Sequence, residues 1–175
     1  MIICPDCSHE NIEGSSECEQ CQQPLADYLE TPSTTIEEGL LTDRIHVLEP
    51  KPPVTVDATT PVGEVLQVMV EKRIGCVVVT KERQTVGIFS ERDVLERLGT
   101  DAVKLKKHPI SEFMTKDPRM LDPQAKVAFV VQRMDLGGYR HIPIVEENGD
   151  LFGIVSVRDV LRYFTEKLIS GEHAS

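Results

Sequence analysis

The sequence predicts an α/β (α+β) fold in which two pseudo-symmetric β-α-β-β-α units pack together behind a small N-terminal segment. A nine-residue phrase occurs at residues 87–95 and again at 153–161, with seven of nine positions identical and an offset of 66 (153 − 87). Strand-like and helix-like apolar patterns alternate around both copies. Four of the five cysteines lie within the first 21 residues. A chain that carries one phrase twice is built from two copies of one unit.

The N-terminal segment, residues 1–25, contains two CxxC pairs. They are formed by Cys4, Cys7, Cys18 and Cys21. Two pairs of thiolates can surround one tetrahedral ion, and metal binding would supply the folding energy that so short a segment lacks. We expect a structural zinc ion (Zn) here, without a catalytic role because four cysteines leave no open position. An iron centre with the same ligands and a metal-free segment are the alternatives.

The first repeated unit is expected at residues 51–100, after a linker at 26–50 that contains a short helix near 36–45. Its first strand is predicted at residues 53–56, and its first helix begins with Thr60 as N-cap and Pro61 at the first helical position. The continuous apolar run at 76–79 predicts a buried strand, and residues 85–89 pair with it. The second helix begins at Ser90.

The second unit is expected at residues 118–168, after a linker at 101–117 and before a short tail at 169–175. Its strands are predicted at residues 141–145 and 151–155, followed by a helix from Ser156. Upstream of the repeated phrase the two units match at an offset of 65, so the second copy has one extra residue. We place it in the turn-forming stretch at residues 146–150.

Composition and charge exclude several classes of protein. The first 43 residues have ten acidic residues and no Lys or Arg, so they carry the whole net charge of −10. Nucleic-acid binding needs a basic surface, and this segment is the opposite. No apolar run is long enough to span a membrane, and the N-terminus lacks the pattern of a signal peptide. Clustered cysteines suit a metal site in a reducing compartment, so a cytoplasmic location is expected.

Both copies of the phrase place Ser-x-x-Asp at the start of a helix. These residues are Ser90 and Asp93 in the first copy, and Ser156 and Asp159 in the second. The simplest interpretation is a capping box that binds nothing. Arg92 and Arg158 favour a site, because the helix dipole disfavours a cation in the first turn. A repeated cation there indicates a nearby anion, although a salt bridge also explains it. Phosphate at the helix N-terminus and a ribose diol on the Asp would use these groups.

The unit that ends in Gly-apolar-apolar-Ser-x-x-Asp resembles a CBS domain, and two in tandem resemble a CBS pair, or Bateman module. The resemblance covers about residues 45–168. It implies two clefts between the units that often bind AMP, ADP, ATP or another adenosyl compound. In the family the Asp holds the ribose, the Ser and basic groups meet the phosphate, and the other unit contacts the base. The first 25 residues also resemble the zinc-ribbon appendages of prokaryotic proteins.

Carried over residue by residue, the resemblance implies one preferred cleft and a weaker one. The preferred cleft uses Asp159, Ser156, Ile154, Arg158, Arg140 and His141, with Thr60, Ile74, Gly75 and Cys76 from the other unit. The weaker cleft uses Asp93, Ser90, Ile88 and Arg73, with Ala125, Tyr139, Arg140 and His141 opposite. The preference follows from the hydroxyl of Thr60, which Ala125 lacks, and from the donors beside Asp159.

The resulting hypothesis is a non-catalytic regulatory module that binds an adenine nucleotide and carries a structural zinc site. Nucleotide binding would change the placement of the units, and a regulated protein partner would respond to that change. CBS pairs commonly form homodimers, so a disc-like homodimer is expected. The alternatives are an interaction and dimerisation protein with empty clefts, or a CBS pair that binds S-adenosylmethionine, NAD or a divalent cation.

Overall fold

The computed structural model describes residues 2–4, 9–12, 15, 17–23, 25 and 35–172. At the N-terminus, β1 (Ile2–Ile3) and β2 (Glu10–Asn11) form an antiparallel pair. Cys7, residues 26–34 of the predicted linker and the last three residues lie outside the described residues.

The first unit forms a mixed sheet with helices packed on it. Its elements are β3 (Thr55–Asp57), α2 (Val62–Lys72), β4 (Cys76–Lys81), β5 (Gln84–Ser90) and α3 (Glu91–Asp93), which continues as a π-helical turn at Val94–Leu98. Strand β3 runs parallel to β4, and β5 runs antiparallel to it. Buried Val62, Val65 and Met69 recur at helical spacing, so α2 presents one apolar face to the sheet.

The predicted capping of α2 by Thr60 is wrong. Pro61 is the N-cap, in an extended conformation with ψ of 134°, and the helix begins at Val62 without a side-chain cap. The carbonyl of Thr60 instead accepts a hydrogen bond from the N–H of Ile110 at 2.9 Å. Because the backbone at Pro61 pairs with that at Pro109, the helix begins one residue later than predicted.

The second unit repeats this architecture. It contains α5 (Val127–Gly137), β7 (His141–Val145), β8 (Leu151–Ser156) and α6 (Val157–Glu172). Its first strand is reduced to a parallel bridge between Leu121 and Ile144, which matches the pairing of Val56 with Val79 at an offset of 65. The β7–β8 turn contains Gly149 with φ of 86°, a conformation that glycine adopts without strain.

Each unit is completed by the chain segment that precedes the other unit. The leading helix α1 (Thr35–Thr42) and a 3₁₀ turn at Ile45–Leu48 pack on the second unit. The corresponding segment of the first unit contains 3₁₀ turns at Gly99–Asp101 and Ile110–Glu112, helix α4 (Ala102–Leu105) and strand β6 (Thr115–Lys116). The segments expected as linkers thus contribute Ile45, Leu48 and Ile110, all 0% exposed, to the two cores.

A third apolar cluster joins the two units. Cys76, Val78 and Ile88 of the first unit pack against Leu151 and Ile154 of the second. Sheet-to-sheet contact therefore fixes how the units face each other, with β4 and β5 of the first unit against β8 of the second. None of the helices in the described residues is long and apolar enough to span a bilayer.

Candidate functional site

A cavity of about 470 Å³ lies where the two units meet. The first unit and the chain before it contribute Lys51, Pro52, Val54, Arg73, Ile74, Gly75, Cys76 and Glu91. The second unit contributes Arg140, His141, Ile154, Ser156, Val157, Arg158 and Asp159. The volume lies within the range of about 300–1,000 Å³ that is usual for small-molecule sites.

Asp159 is held by a reciprocal cap at the start of α6. The backbone N–H and the hydroxyl of Ser156 both donate to Asp159 Oδ2, at 2.8 and 2.6 Å. The side chain is only 3% exposed, so the cap fixes its orientation. The contact of the Asp159 carboxylate with the Ser156 N–H is the one that a capping box requires of its acidic residue, and it leaves the second carboxylate oxygen, Oδ1, for another partner.

That partner is Lys51, which lies far away in the sequence. Its Nζ is 3.2 Å from Asp159 Oδ1. Burial acts to raise the pKa of Asp159, but hydrogen bonds from Ser156 and the charge of Lys51 outweigh it and lower the pKa below its ordinary value. Asp159 is consequently a carboxylate at neutral pH.

The rest of the cavity wall combines positive charge with an apolar surface. Arg73, Arg140 and Arg158 join Lys51, whereas Glu91 is the second acidic group beside Asp159. Four cationic and two acidic side chains therefore line the cavity, together with the imidazole of His141. Val54, Ile74, Cys76 and Ile154 supply the apolar surface.

His141 and Cys76 are both neutral. Burial, with the charge of Arg140, lowers the pKa of His141, so its imidazole is uncharged at neutral pH. Its Nδ1 is buried and has no hydrogen-bond partner among the described residues. A buried polar atom without a partner is uncommon in folded proteins. Burial raises the pKa of Cys76 to about 12, so this residue is a thiol that packs rather than reacts.

Asp93, the equivalent carboxylate of the first unit, has all its acceptor positions filled. Ser90 donates to Oδ2 through its backbone N–H and its hydroxyl, both at 2.8 Å. Thr115 donates to Oδ1 at 3.0 Å, and Arg97 Nε lies 3.3 Å from the same oxygen. Arg97 also donates to the carbonyl of Phe113 at 2.9 Å, which anchors it. Asp93 is therefore closed by groups of its own unit and of the segment that completes it.

The two arginines of the repeated phrase also differ. Arg92 forms an ion pair with Glu96 at 3.0 Å and donates to the carbonyl of Gly138 at 2.9 Å. For Arg92, the salt-bridge explanation of a cation in the first turn is therefore sufficient. Arg158 instead lines the cavity.

The structure brings together nine of the ten residues expected in the preferred cleft. Thr60 is the exception: it does not line the cavity, because its backbone pairs near Ile110. Arg73 was expected in the weaker cleft but lines this cavity, whereas Asp93, Ser90 and Ile88 do not. The contrast of Thr60 with Ala125 does not explain the difference between clefts.

Sequence reasoning missed five residues of the cavity wall. They are Lys51, Pro52, Val54, Glu91 and Val157. Lys51 is the first residue of the expected first unit, ahead of strand β3, and it reaches the site because its backbone pairs with Ile154 of the second unit. No local pattern indicates that pairing. Glu91 and Val157 were detectable, since both directly follow the Ser of the repeated phrase.

A second, smaller cavity of about 310 Å³ lies beside the N-terminal segment. Cys21 and Gln23 line it together with Arg119, Gln132, Arg133, Leu136, Gly137 and Tyr139 of the second unit and the chain before it. Tyr139, expected opposite Asp93, thus lies next to the cysteine-containing segment. This places the N-terminal segment against the second unit.

Three of the four cysteines expected as metal ligands converge. The Sγ atoms of Cys4, Cys18 and Cys21 lie within 4.8 Å of one another. Cys4 and Cys18 are buried, and Asn11 Nδ2 donates to Cys18 Sγ at 3.6 Å. Cys7 lies outside the described residues. A donor set of soft sulfur atoms around one point suits a tetrahedral metal ion such as zinc.

Comparison with known proteins gives the family. The family model described as the CBS domain matches residues 48–100 and 110–166. An uncharacterised 17.7 kDa protein of Acidianus ambivalens is 32% identical over 124 residues, which cover 70% of this chain and 69% of that protein. In another curated relative the matched stretch is only 20% of the protein's length.

Solved structures agree with the fold. A CBS-domain-containing protein from Agrobacterium tumefaciens is 30% identical, with a TM-score of 0.63 over 69% of this chain and 98% of that one. A CBS-domain protein from Pyrobaculum aerophilum, solved in complex with AMP, is 28% identical, with a TM-score of 0.59 over 66% of this chain and 88% of that one. Together with the two matched segments and the paired architecture, these likenesses show that the chain belongs to the CBS-domain family and carries two CBS domains in tandem.

Proposed function

We propose that this protein is a regulatory module that binds one adenine nucleotide (AMP, ADP or ATP) in the Asp159 cavity. The observation that carries the proposal is the cavity itself, in which a buried carboxylate faces an excess of cationic side chains and an apolar wall. The AMP complex of the Pyrobaculum aerophilum relative supports the ligand class.

The three parts of a nucleotide match three parts of the cavity. The ribose hydroxyls donate to Asp159, whose charge strengthens such bonds. The phosphate meets Arg140 or Arg158 near the N-terminus of α6, where backbone N–H groups favour anions. The adenine packs on Val54 and Ile74. His141 Nδ1, buried without a partner among the described residues, gains one when the ligand fills the cavity.

Charge favours a nucleotide over a cationic adenosyl compound. S-adenosylmethionine carries a sulfonium, an ammonium and a carboxylate group and is a net cation, so it is disfavoured by a cavity wall with four cationic and two acidic side chains. A phosphorylated adenosine places its negative charge among the same groups. We therefore rank the nucleotide above S-adenosylmethionine.

Regulation follows from the position of the cavity. Both units line it, so a bound nucleotide contacts both and favours the arrangement that binds it best. We propose that a protein partner responds to this shift and that the chain itself is not an enzyme. The closed state of Asp93 supports one nucleotide per chain.

The metal site is a separate part of the proposal. We propose that Cys4, Cys7, Cys18 and Cys21 hold one zinc ion with a structural role, supported by the three converging thiols. Such a thiolate cluster persists in a reducing compartment, which supports a cytoplasmic location.

Calorimetric titration with AMP and ATP tests the nucleotide site. We expect the wild type to bind one equivalent, and Asp159→Asn to weaken binding at least tenfold, because charge-assisted hydrogen bonds contribute about 1.5–3 kcal/mol each. Asp93→Asn is the matched control and should bind with nearly wild-type affinity. Native mass spectrometry of protein purified without added nucleotide should retain the mass of an adenosine phosphate. A wild type that binds neither nucleotide would support a dimerisation protein with empty clefts.

A further inference from the structure

The two equivalent carboxylates of the repeat differ in the group that holds their Oδ1 atom. In each unit the phrase contains an Ile whose strand pairs with the chain segment that completes the unit. Ile88 pairs with Thr115, and Ile154 pairs with Lys51. Thr115 donates its hydroxyl to Asp93 Oδ1 at 3.0 Å, whereas Lys51 forms an ion pair with Asp159 Oδ1 at 3.2 Å. The same structural position therefore carries a hydroxyl at one site and an ammonium group at the other.

The residue four positions after each Asp strengthens this difference. In the first unit it is Arg97, which contacts Asp93 Oδ1 and is anchored on the carbonyl of Phe113. In the second unit it is Tyr163, whose hydroxyl donates to Asp43 at 2.8 Å. Asp159 thus has no permanent cation from its own helix at this oxygen, and Lys51 takes that place.

The side chain of Lys51 can move away from Asp159 while its backbone stays in place. Its N–H donates to the carbonyl of Ile154 at 3.0 Å, and the N–H of Ile154 donates to the carbonyl of Lys51 at 2.9 Å. These bonds hold the main chain at the cavity wall. The side chain is 67% exposed, so its four-carbon stem can swing without breaking core packing.

We propose that Lys51 makes the cavity selective for adenosyl compounds that carry a phosphate. The inference rests on the proposed function and concerns the same site. Ser156 fills Oδ2 of Asp159, and Oδ1 can accept two donors, so a ribose diol that places both hydroxyls on Oδ1 displaces the ammonium group. A neutral nucleoside offers that group no new partner, so it loses the energy of the ion pair. A phosphate bound beside the ribose accepts the displaced ammonium group and compensates the loss.

Competition with the ion pair predicts different effects on two ligands. In Lys51→Met, adenosine no longer competes with an ammonium group, so its affinity should rise roughly threefold, the worth of a largely exposed ion pair. AMP exchanges the ion pair for a phosphate contact in wild type, and the variant has neither interaction, so its affinity should change little. The preference for AMP over adenosine should therefore fall roughly threefold.

The experiment measures both affinities on the full-length chain by displacement of a fluorescent AMP analogue. The variants are Lys51→Met, Lys51→Arg and Lys116→Met, the last being an exposed lysine 65 positions later that does not line the cavity. Lys51→Arg should keep the preference for AMP, and Lys116→Met should leave it unchanged. Denaturant unfolding confirms that each variant is folded.

The outcomes separate the two proposals. A wild type that binds neither AMP nor adenosine overturns both the proposed function and the role of Lys51. If wild type binds AMP, two results overturn the role of Lys51 alone. One is an unchanged preference for AMP in folded Lys51→Met, and the other is adenosine binding too weak to measure in both proteins. An equal loss of both ligands in Lys51→Met also contradicts it, because a merely structural role weakens both alike.

Discussion

At the scale of single residues, identical side chains in the two copies have different chemistry. Asp93 and Asp159 are capped in the same way by the preceding Ser, and both are buried. They differ because Arg97 and Thr115 close the first, whereas an exposed lysine pairs with the second. The repeated phrase predicts the cap, and the residues outside the phrase decide which carboxylate can serve a ligand.

The ionisation of Asp159 should be measurable through stability. Its pKa is lowered in the folded state, so its charge stabilises the fold above the unfolded pKa of about 3.9 and this contribution disappears as the pH falls through the folded pKa. We expect wild type to be more stable than Asp159→Asn at pH 6, and the difference to shrink towards pH 3. Urea unfolding at several pH values measures it. Asp43 and Asp57, whose pKa values are also lowered, remain in both proteins and cancel. A difference that is constant with pH would contradict the prediction.

At the scale of elements, the repeat predicted most of the fold but not where each unit ends. The alternation of β4, β5 and α3 follows from the apolar run and from turn chemistry, and the offset of 65 locates the same elements in the second unit. In the sequence the segments that precede the two units have the pattern of linkers. Their apolar residues pack on the opposite unit, and local periodicity carries no information about a packing partner so far along the chain. The contact of Lys51 with Asp159 was missed for the same reason.

Each unit is completed by the segment that precedes the other unit, so residues in the expected linkers should stabilise the fold strongly. Ile45→Ala and Ile110→Ala should each lower the free energy of unfolding by about 2–5 kcal/mol, since both side chains are fully buried. Val103→Ala, at a side chain that is 77% exposed in the second leading segment, is the control and should change stability by less than about 0.5 kcal/mol. Urea unfolding measures all three. A loss below about 1 kcal/mol for Ile45→Ala would show that α1 and its turn do not stabilise the second unit.

The N-terminal segment should depend on metal while the paired units do not. Cys18→Ser removes one of the converging thiols, so zinc should be lost and β1 and β2 should unfold. The paired units keep their own cores and should unfold cooperatively as before. Elemental analysis should find about one zinc per chain in wild type and a strong reduction in Cys18→Ser. Cys76→Ser, at a buried cysteine outside the cluster, is the control and should retain zinc. Iron in place of zinc, or no metal in wild type, would contradict the assignment.

At the scale of the whole molecule, the two interlocked units make a single body with a ligand cavity at their contact. Each core draws on two stretches of chain, and the apolar cluster of Cys76, Val78 and Ile88 with the second unit joins them. A change at the cavity can therefore alter the relative placement of the units, which is the property that a regulatory module requires. The sequence predicted the two-unit architecture, because both copies keep the same order of elements.

The molecule should associate through the helix that ends the second unit. Along α6, Leu161 and Leu168 are 58% and 57% exposed, and their seven-residue spacing places them on one face of the helix. Leu95, which occupies the position equivalent to Leu161 in the first unit, is 77% exposed. A module with two modest cores gains stability when such a surface is covered, so we expect a homodimer that buries it.

Sedimentation equilibrium at tens of micromolar measures the association. We expect about twice the 19.6 kDa chain mass for wild type, and dissociation in Leu161→Glu because a buried charge in the dimer would lack a partner. Val103→Glu, at an apolar residue on α4 that is 77% exposed, should remain dimeric. A wild type that sediments as a monomer would refute the homodimer. Dissociation by Val103→Glu but not by Leu161→Glu would retain the dimer and move its interface from α6 to the leading segment of the first unit.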